Sequence, residues 1–316
     1  MFRKIKQIID GGNKFLITTH IDPDGDAIGS CFSLYWALDG LQKNPFVYMR
    51  DRVPYMYEFL PKPTQLFYNE PPDGTYDGIF ILDCGNFFRV GNGHERLKSQ
   101  GPIINIDHHA TSEKFGIINI INQNSSSTGE ILYNIYDALM IPISYTIAVN
   151  LYTAIFTDTG SFRYPNTNSE AFLICEKMTK FGVSPAHVAQ MVYENHPKER
   201  FVLLGEVLSS LETYENDTIA LAVVTKEMFH KTNTAKEYTE GFVEFIKEIR
   251  GVNVAILMKE LSDNQYKISM RSKGDTDVAL ICNHFGGGGH RNAAGCTING
   301  SIIQIKDRLK EALTKP

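Results

Sequence analysis

Apolar residues fall along this chain in two rhythms. One is a short unbroken run, seen at 14–19 around Phe15-Leu16-Ile17, at 45–49, at 78–82 (GIFIL) and at 102–106 (PIINI). A strand with no polar alternation is covered on both faces, as in a parallel sheet. The other rhythm is helical. In 27–41, Ala27, Ile28, Phe32, Leu34, Tyr35 and Leu38 form an apolar stripe. The N-terminus reads as a short amphipathic helix closed by Gly11-Gly12. An edge strand is predicted at 117–121, then helices at 131–140, 144–157, 169–181, 184–193 and 198–214. Ser127 and Glu130 form a capping box that opens the first of these five. Beyond Glu215-Asn216-Asp217, read as a boundary, strands are predicted near 219–224, 252–260 and 265–271, and helices near 236–249, 276–284 and 302–314.

These elements predict an α/β protein. An N-terminal, mostly parallel sheet flanked by helices would span 1–195. A helical linker would span 196–217, and a smaller α/β domain with a mixed sheet 218–316. The length of 316 residues agrees with two domains.

Composition narrows the function. Hydrophobic residues make up 43% and charged residues 21%, as in a globular protein with room for a core in each domain. No apolar run approaches the length of a membrane span, and no signal-peptide core follows the N-terminal basic residues. Five scattered cysteines, with no CxxC pair, predict reduced thiols in the cytoplasm and argue against a zinc ribbon. With 31 basic and 36 acidic residues the net charge is −5, which excludes a protein that coats long DNA or RNA through a basic surplus. An anionic substrate would be small, or gripped locally.

The candidate chemistry sits where the predicted strands end, the position of active sites in parallel α/β sheets. The stretch 18–30 (TTHIDPDGDAIGS) carries His20, Asp22, Asp24 and Asp26 between the first strand and the first long helix. Asp83 ends one later strand, Asp107-His108-His109 ends another, and Asp158 stands at a helix end near Gly160. Each signal has a plainer reading. Asp-Pro-Asp-Gly-Asp is turn chemistry, while Asp83 and Asp158 suit strand and helix ends. An EF-hand is excluded, because Ala27 and Ser33 stand where Gly and Glu are needed. Two adjacent imidazoles at a strand end are harder to explain by turn chemistry. Carboxylates and imidazoles without thiolates suit Mn²⁺ or Mg²⁺ better than structural zinc. There are more such groups than one ion needs, so two divalent ions and hydrolysis of a phosphate ester are expected.

In the second half, KISMRSKGDTDVALICNHFGGGGHRNAAG places Arg271 at a strand end and four glycines before His290 and Arg291. Such glycines let backbone N–H groups approach an anion. The plainer reading is a flexible linker, but the flanking Phe285, His290, Arg291 and Asn292 do not fit one.

HIDPDGDAIGS, LDCGN, IDHH and TDTGSF resemble, in order, the four motifs of the DHH phosphoesterase superfamily. GGGGH resembles the motif of its C-terminal DHHA1 domain. The resemblance covers nearly the whole chain, and its layout is that of the short bacterial branch that includes nano-RNase/pAp phosphatases. It implies His20, Asp24 and Asp83 as ligands of one metal and Asp26, Asp83, His108 and Asp158 as ligands of the other, with Asp83 bridging. His109 would face the scissile phosphate as hydrogen-bond donor or general acid, and Asp107 would orient the histidines. Asp22 is left as a turn residue or outer partner. Arg163 is read as exposed or ion-paired, and His284 as a helix-face residue.

The resemblance further implies that Arg271, Ser272, Gly287, Gly288, Gly289 and His290 hold the terminal phosphate or nucleotide, with cleavage between the domains and a hinge near 215–218. The expected substrates are short RNA or DNA oligonucleotides, or 3′-phosphoadenosine 5′-phosphate (pAp). No membrane is expected, and a homodimer is compatible with the reading. Cyclic or linear dinucleotide phosphodiesterase is the alternative. Exopolyphosphatase, pyrophosphatase and a non-catalytic nucleotide-binding or RNA-binding module are weaker ones.

Overall fold

The computed structural model describes residues 2–91 and 93–314. The chain divides into two units, Met1–Asn195 and His196–Pro316.

The first unit runs α1 (Phe2–Gly11), β1 (Lys14–Thr18), α2 (Gly25–Gly40), β2 (Asn44–Met49), β3 (Leu66–Tyr68), β4 (Gly78–Leu82), α3 (His94–Gln100), β5 (Ile103–Asp107), β6 (Ile118–Ile121), α4 (Thr128–Leu139), α5 (Tyr145–Asp158), α6 (Ser169–Lys180) and α7 (Pro185–Tyr193). Its six strands are all parallel, in the order β3-β2-β1-β4-β5-β6. Successive strand residues point to opposite faces, and both faces are covered. Phe15, Ile17, Phe80 and Leu82 enter the larger core, shared with α2, α4 and α5. Leu16, Ile79 and Ile81 enter a smaller one on the face of α3. That is why these strands carry no polar alternation.

The order reverses between β1 and β4, and register brings the strand ends together there. Thr18 lies opposite Ile81, and Leu82 opposite Ile106. His20, Asp83 and Asp107 therefore emerge side by side at the carboxyl edge, the place where parallel α/β sheets bind ligands.

A second approach is made by helices. α2 and α5 pack closely, and Gly25 permits it. A Cβ on Gly25 would stand 2.3 Å from Thr157 Oγ1. Only glycine lets the start of α2 reach the end of α5, which brings Asp24 and Asp26 next to Asp158.

The second unit runs α8 (Lys198–Ser209), β7 (Glu212–Tyr214), β8 (Ile219–Val224), α9 (Lys226–Thr232), α10 (Phe242–Lys247), β9 (Val254–Ser262), β10 (Gln265–Ser272), α11 (Val278–His284), β11 (Gly288–His290), β12 (Ala293–Asn299) and α12 (Ile302–Thr314). Its sheet is mixed, in the order β11-β12-β10-β9-β8-β7, with β8 and β9 parallel and the other pairs antiparallel. Along β8, Ile219, Leu221 and Val223 face a core with α11 and α12, while Ala220, Ala222 and Val224 face α8 and α10.

Several sequence expectations change here. The helix expected over 198–214 stops at Ser209, and 212–214 form the edge strand β7. Leu203, Leu204 and Val207 of α8 are buried in the second unit's core, so this segment packs as part of that unit. Glu215, Asn216 and Asp217, read as a boundary, adopt positive φ (52°, 55° and 65°) and turn the β7–β8 hairpin. The helix expected over 236–249 is broken by Gly241 at φ 76°, leaving one 3₁₀ turn and α10. Among the described residues no helix is long and apolar enough to cross a membrane. All five cysteines are buried and free.

Candidate metal centre

Asp83 is the hub. Its φ of 53° is left-handed, a conformation that costs most residues energy and is tolerated best by Asn, Asp and Gly. The turn aims a buried carboxylate across the ends of β1 and β5. Asp83 Oδ2 lies 3.5 Å from His20 Nε2, and Oδ1 lies 3.5 Å from His108 Nε2. The two oxygens of one carboxylate thus serve two different groups.

The first group is His20, Asp24 and Asp83, whose ligand atoms lie within 4.8 Å of one another. His20 Nδ1 is 2.8 Å from the carbonyl of Ile21. A carbonyl only accepts, so Nδ1 carries the proton and Nε2 presents its lone pair. Asp24 caps α2 by accepting from the Ala27 N–H at 3.1 Å.

The second group is Asp26, Asp83 and His108, with Asp158 beside it. His108 Nε2 lies 3.5 Å from Asp83 Oδ1, 3.6 Å from Asp158 Oδ2 and 3.7 Å from Asp26 Oδ2. These distances are long for hydrogen bonds. They approach the roughly 3 Å between neighbouring ligands on a divalent ion whose own bonds are near 2.1 Å. His108 Nδ1 faces the carbonyl of Ser125 at 3.3 Å, which again leaves Nε2 as the inward donor atom.

The electrostatics suit a cation. Burial pushes the Asp26 carboxyl well up, and the neighbouring carboxylates Asp83, Asp158 and Asp24 add to it. Burial also pushes Asp158 up to about 6, with Asp83 and Asp24 reinforcing the shift against the His108 and His109 imidazoles. Burial acts on Asp83 in the same direction, but the surrounding imidazoles, His20 first and then His109 and His108, outweigh it and hold this carboxyl low. Divalent charge at this point would relieve the repulsion that raises Asp26 and Asp158. The donor set is carboxylate and imidazole, hard enough for Mn²⁺ or Mg²⁺.

Asp107 and His109 form a third pair. Asp107 Oδ1 accepts from His109 Nδ1 at 2.7 Å and from the backbone N–H groups of His108 and His109 at 2.8 and 3.3 Å. Burial lowers the His109 pKa, but the Asp107 hydrogen bond and the Asp83 and Asp107 charges raise it to about 9. Asp22 stands apart from these groups. Its backbone N–H donates to Asp51 at 2.9 Å. The Arg163 Nε–H donates to the Gly160 carbonyl at 2.8 Å.

In the second unit Arg271 donates through Nε to Glu244 Oε1 at 2.8 Å. The Ser272 hydroxyl donates to the Thr276 carbonyl at 2.7 Å and accepts from Asn292 Nδ2 at 2.9 Å. The glycine run is not a loose loop. Gly288, Gly289 and His290 pair with Gly295, Ala294 and Ala293 of β12. A Cβ on Gly287 would stand 2.2 Å from the Gly295 carbonyl, so close packing against this unit's own sheet demands glycine there.

Residues 14–155 match the DHH family, N-terminal domain, and residues 204–315 match the DHHA1 domain. The bifunctional oligoribonuclease and PAP phosphatase NrnA of Thermus thermophilus is 32% identical over 300 residues, covering 94% of this chain and 88% of that protein. The chain belongs to the DHH family. A protein of the same description from Bacillus subtilis is 25% identical over 292 residues, 90% of this chain and 88% of its own. The crystal structure of an exopolyphosphatase-related protein from Bacteroides fragilis matches with a TM-score of 0.90 at 29% identity, covering 99% of this chain and 95% of that one.

Two residues of this DHH chain escaped the sequence reading. Thr128 donates its hydroxyl to Asp83 Oδ1 at 3.1 Å, and Asn166 donates its amide to Asp158 Oδ2 at 3.0 Å. The run NQNSSSTGE signalled a helix start, and the cap is present, with Ser127 Oγ accepting from the Glu130 N–H at 3.1 Å. Nothing local in that run signals a contact with Asp83, 45 residues earlier.

Proposed function

We propose that this chain is a phosphoesterase, dependent on two divalent ions and most active with Mn²⁺, that hydrolyses short oligoribonucleotides to mononucleotides and converts pAp to AMP. The observation that carries the proposal is Asp83, whose two carboxylate oxygens face two separate groups of ligand atoms. Membership of the DHH family makes the chain a hydrolase. The descriptions of its relatives from Thermus and Bacillus supply the substrate class.

His20, Asp24 and Asp83 would hold one ion, and Asp26, Asp83, His108 and Asp158 the other. Bound there, the ions would supply Lewis acidity toward a phosphoryl oxygen and would activate water for attack. The protein's own groups do the rest. Without bound ions, the hydrogen bond that His109 donates to Asp107, with the Asp83 and Asp107 charges, outweighs burial and raises His109 to about 9, so the ring is protonated at neutral pH. With Nδ1 committed to Asp107, its Nε2–H is directed away from that carboxylate and donates to the scissile phosphate or the leaving oxygen. Asp107 Oδ1 accepts one hydrogen bond from the ring and two from the backbone N–H groups of His108 and His109, which fixes the ring on its turn. In the second unit Arg271, Ser272, Gly287, Gly288, Gly289 and His290 hold the terminal phosphate. Buried free cysteines fit a cytoplasmic setting.

A parallel assay tests this reading. The purified chain with Mn²⁺ is offered pAp, RNA dimers to pentamers, c-di-AMP and tripolyphosphate. Turnover of pAp and of the short RNAs should be fastest. Fastest turnover of tripolyphosphate, in the direction of the Bacteroides relative's description, would overturn the substrate class.

A further inference from the structure

Among the described residues the polar run 125–129 hydrogen-bonds three members of one ligand group, Asp26, Asp83 and His108, and neither His20 nor Asp24. The backbone N–H groups of Thr128 and Gly129 donate to Asp26 Oδ2 and Oδ1 at 2.7 and 3.0 Å. The Thr128 hydroxyl donates to Asp83 Oδ1, on the side of that carboxylate facing His108. The Ser125 carbonyl meets His108 Nδ1. Asp158 is reached through Asn166, whose side-chain amide donates to Asp158 Oδ2 at 3.0 Å, to the Asp158 carbonyl at 3.1 Å and to the Ser126 carbonyl at 2.8 Å. His20 and Asp24 take their support from within their own loop, from the Ile21 carbonyl and the Ala27 N–H.

From this division of supports we infer that Thr128 and Asn166 are positioning residues that act mainly on one metal site, that of Asp26, Asp83, His108 and Asp158, and much less on that of His20 and Asp24, which shares with it only the Asp83 carboxylate. The inference rests on the two-metal reading above. A carboxylate with one oxygen pinned by a hydroxyl cannot rotate freely, so less ordering remains to be done when an ion binds. Thr128 is fully buried, and its hydroxyl has a fixed direction. Asn166 ties the end of α5 to the start of α4, which keeps Asp158 in register with Asp26. Outer partners of metal ligands typically contribute about ten- to a hundredfold in affinity.

The test is a Mn²⁺ titration of metal-stripped protein, followed by electron paramagnetic resonance and calorimetry, for wild type, T128V, T128S and N166A. Thermal melts in EDTA check that each variant folds. Wild type should bind two ions. T128V and N166A should weaken one binding step by roughly ten- to a hundredfold, with the other step changing far less in T128V and not at all in N166A. T128S, which keeps the hydroxyl, should restore the weakened step. If T128V does not fold, N166A carries the test. Both steps unchanged in the variants, both weakened alike, or T128S as poor as T128V would overturn the inference. A wild type that binds a single ion contradicts the two-metal reading itself, a failure distinct from these.

Discussion

Asp107 and His109 differ from the other acid–imidazole contacts of the site, because theirs is a short hydrogen bond, at 2.7 Å, while His108 stands 3.5 Å or more from its carboxylates. Long contacts leave room for an ion, and a short one shares a proton. This sets a pH prediction for metal-stripped protein. His109 should titrate near 9, against an ordinary 6.5, because the hydrogen bond it donates to Asp107 and the Asp83 and Asp107 charges outweigh the opposing effect of burial. Its folded pKa is raised, so the stability it contributes is fully present below about 6.5 and is lost as pH rises through about 9. In D107N, an NMR titration should place the His109 midpoint lower, and the stability gap from wild type should close as pH rises through that window. An unchanged midpoint would show that Asp107 does not govern this imidazole.

At the scale of elements, the site depends on a helix crossing as much as on strand ends. Gly25 lets α2 meet α5 at Thr157, and a methyl group there must push the two helices apart. G25A is therefore expected to destabilise the fold by about 1–3 kcal/mol, the range typical of overpacking, read as a lower melting temperature, and to weaken Mn²⁺ binding because Asp26 and Asp158 move apart. T157A removes the nearest two atoms and should restore part of both. Full stability and full metal binding in G25A would contradict this role. Strand ends were legible in sequence because GIFIL and PIINI are apolar without interruption and stop at Asp83 and near Asp107. The three-residue strands β3, β7 and β11 were not, since three residues are too few to show a period. Asp24 caps α2 and Asp26 lies in its first turn, and the N–H groups from which Asp26 accepts belong to the start of α4. That contact joins residues about a hundred positions apart, and no local pattern signals it. The supports from Thr128 and Asn166 were hidden for the same reason, whereas the ligand candidates themselves lie in compact motifs.

For the whole molecule, topology explains why four separated motifs make one site. The strand order reverses between β1 and β4, which opens a crevice at their carboxyl ends, and β5 adds Asp107, His108 and His109 beside it. The acidic net charge of −5 leaves attraction of an anion to local cations and ions rather than to a basic surface. The central claim is thus geometric: two divalent ions share Asp83. Anomalous diffraction from crystals grown with Mn²⁺ tests it most directly. The expected result is two peaks roughly 3.5–4 Å apart, one against His20 and Asp24, the other against Asp26, His108 and Asp158, with the Asp83 carboxylate between them. A single peak, or peaks that do not flank Asp83, would contradict it.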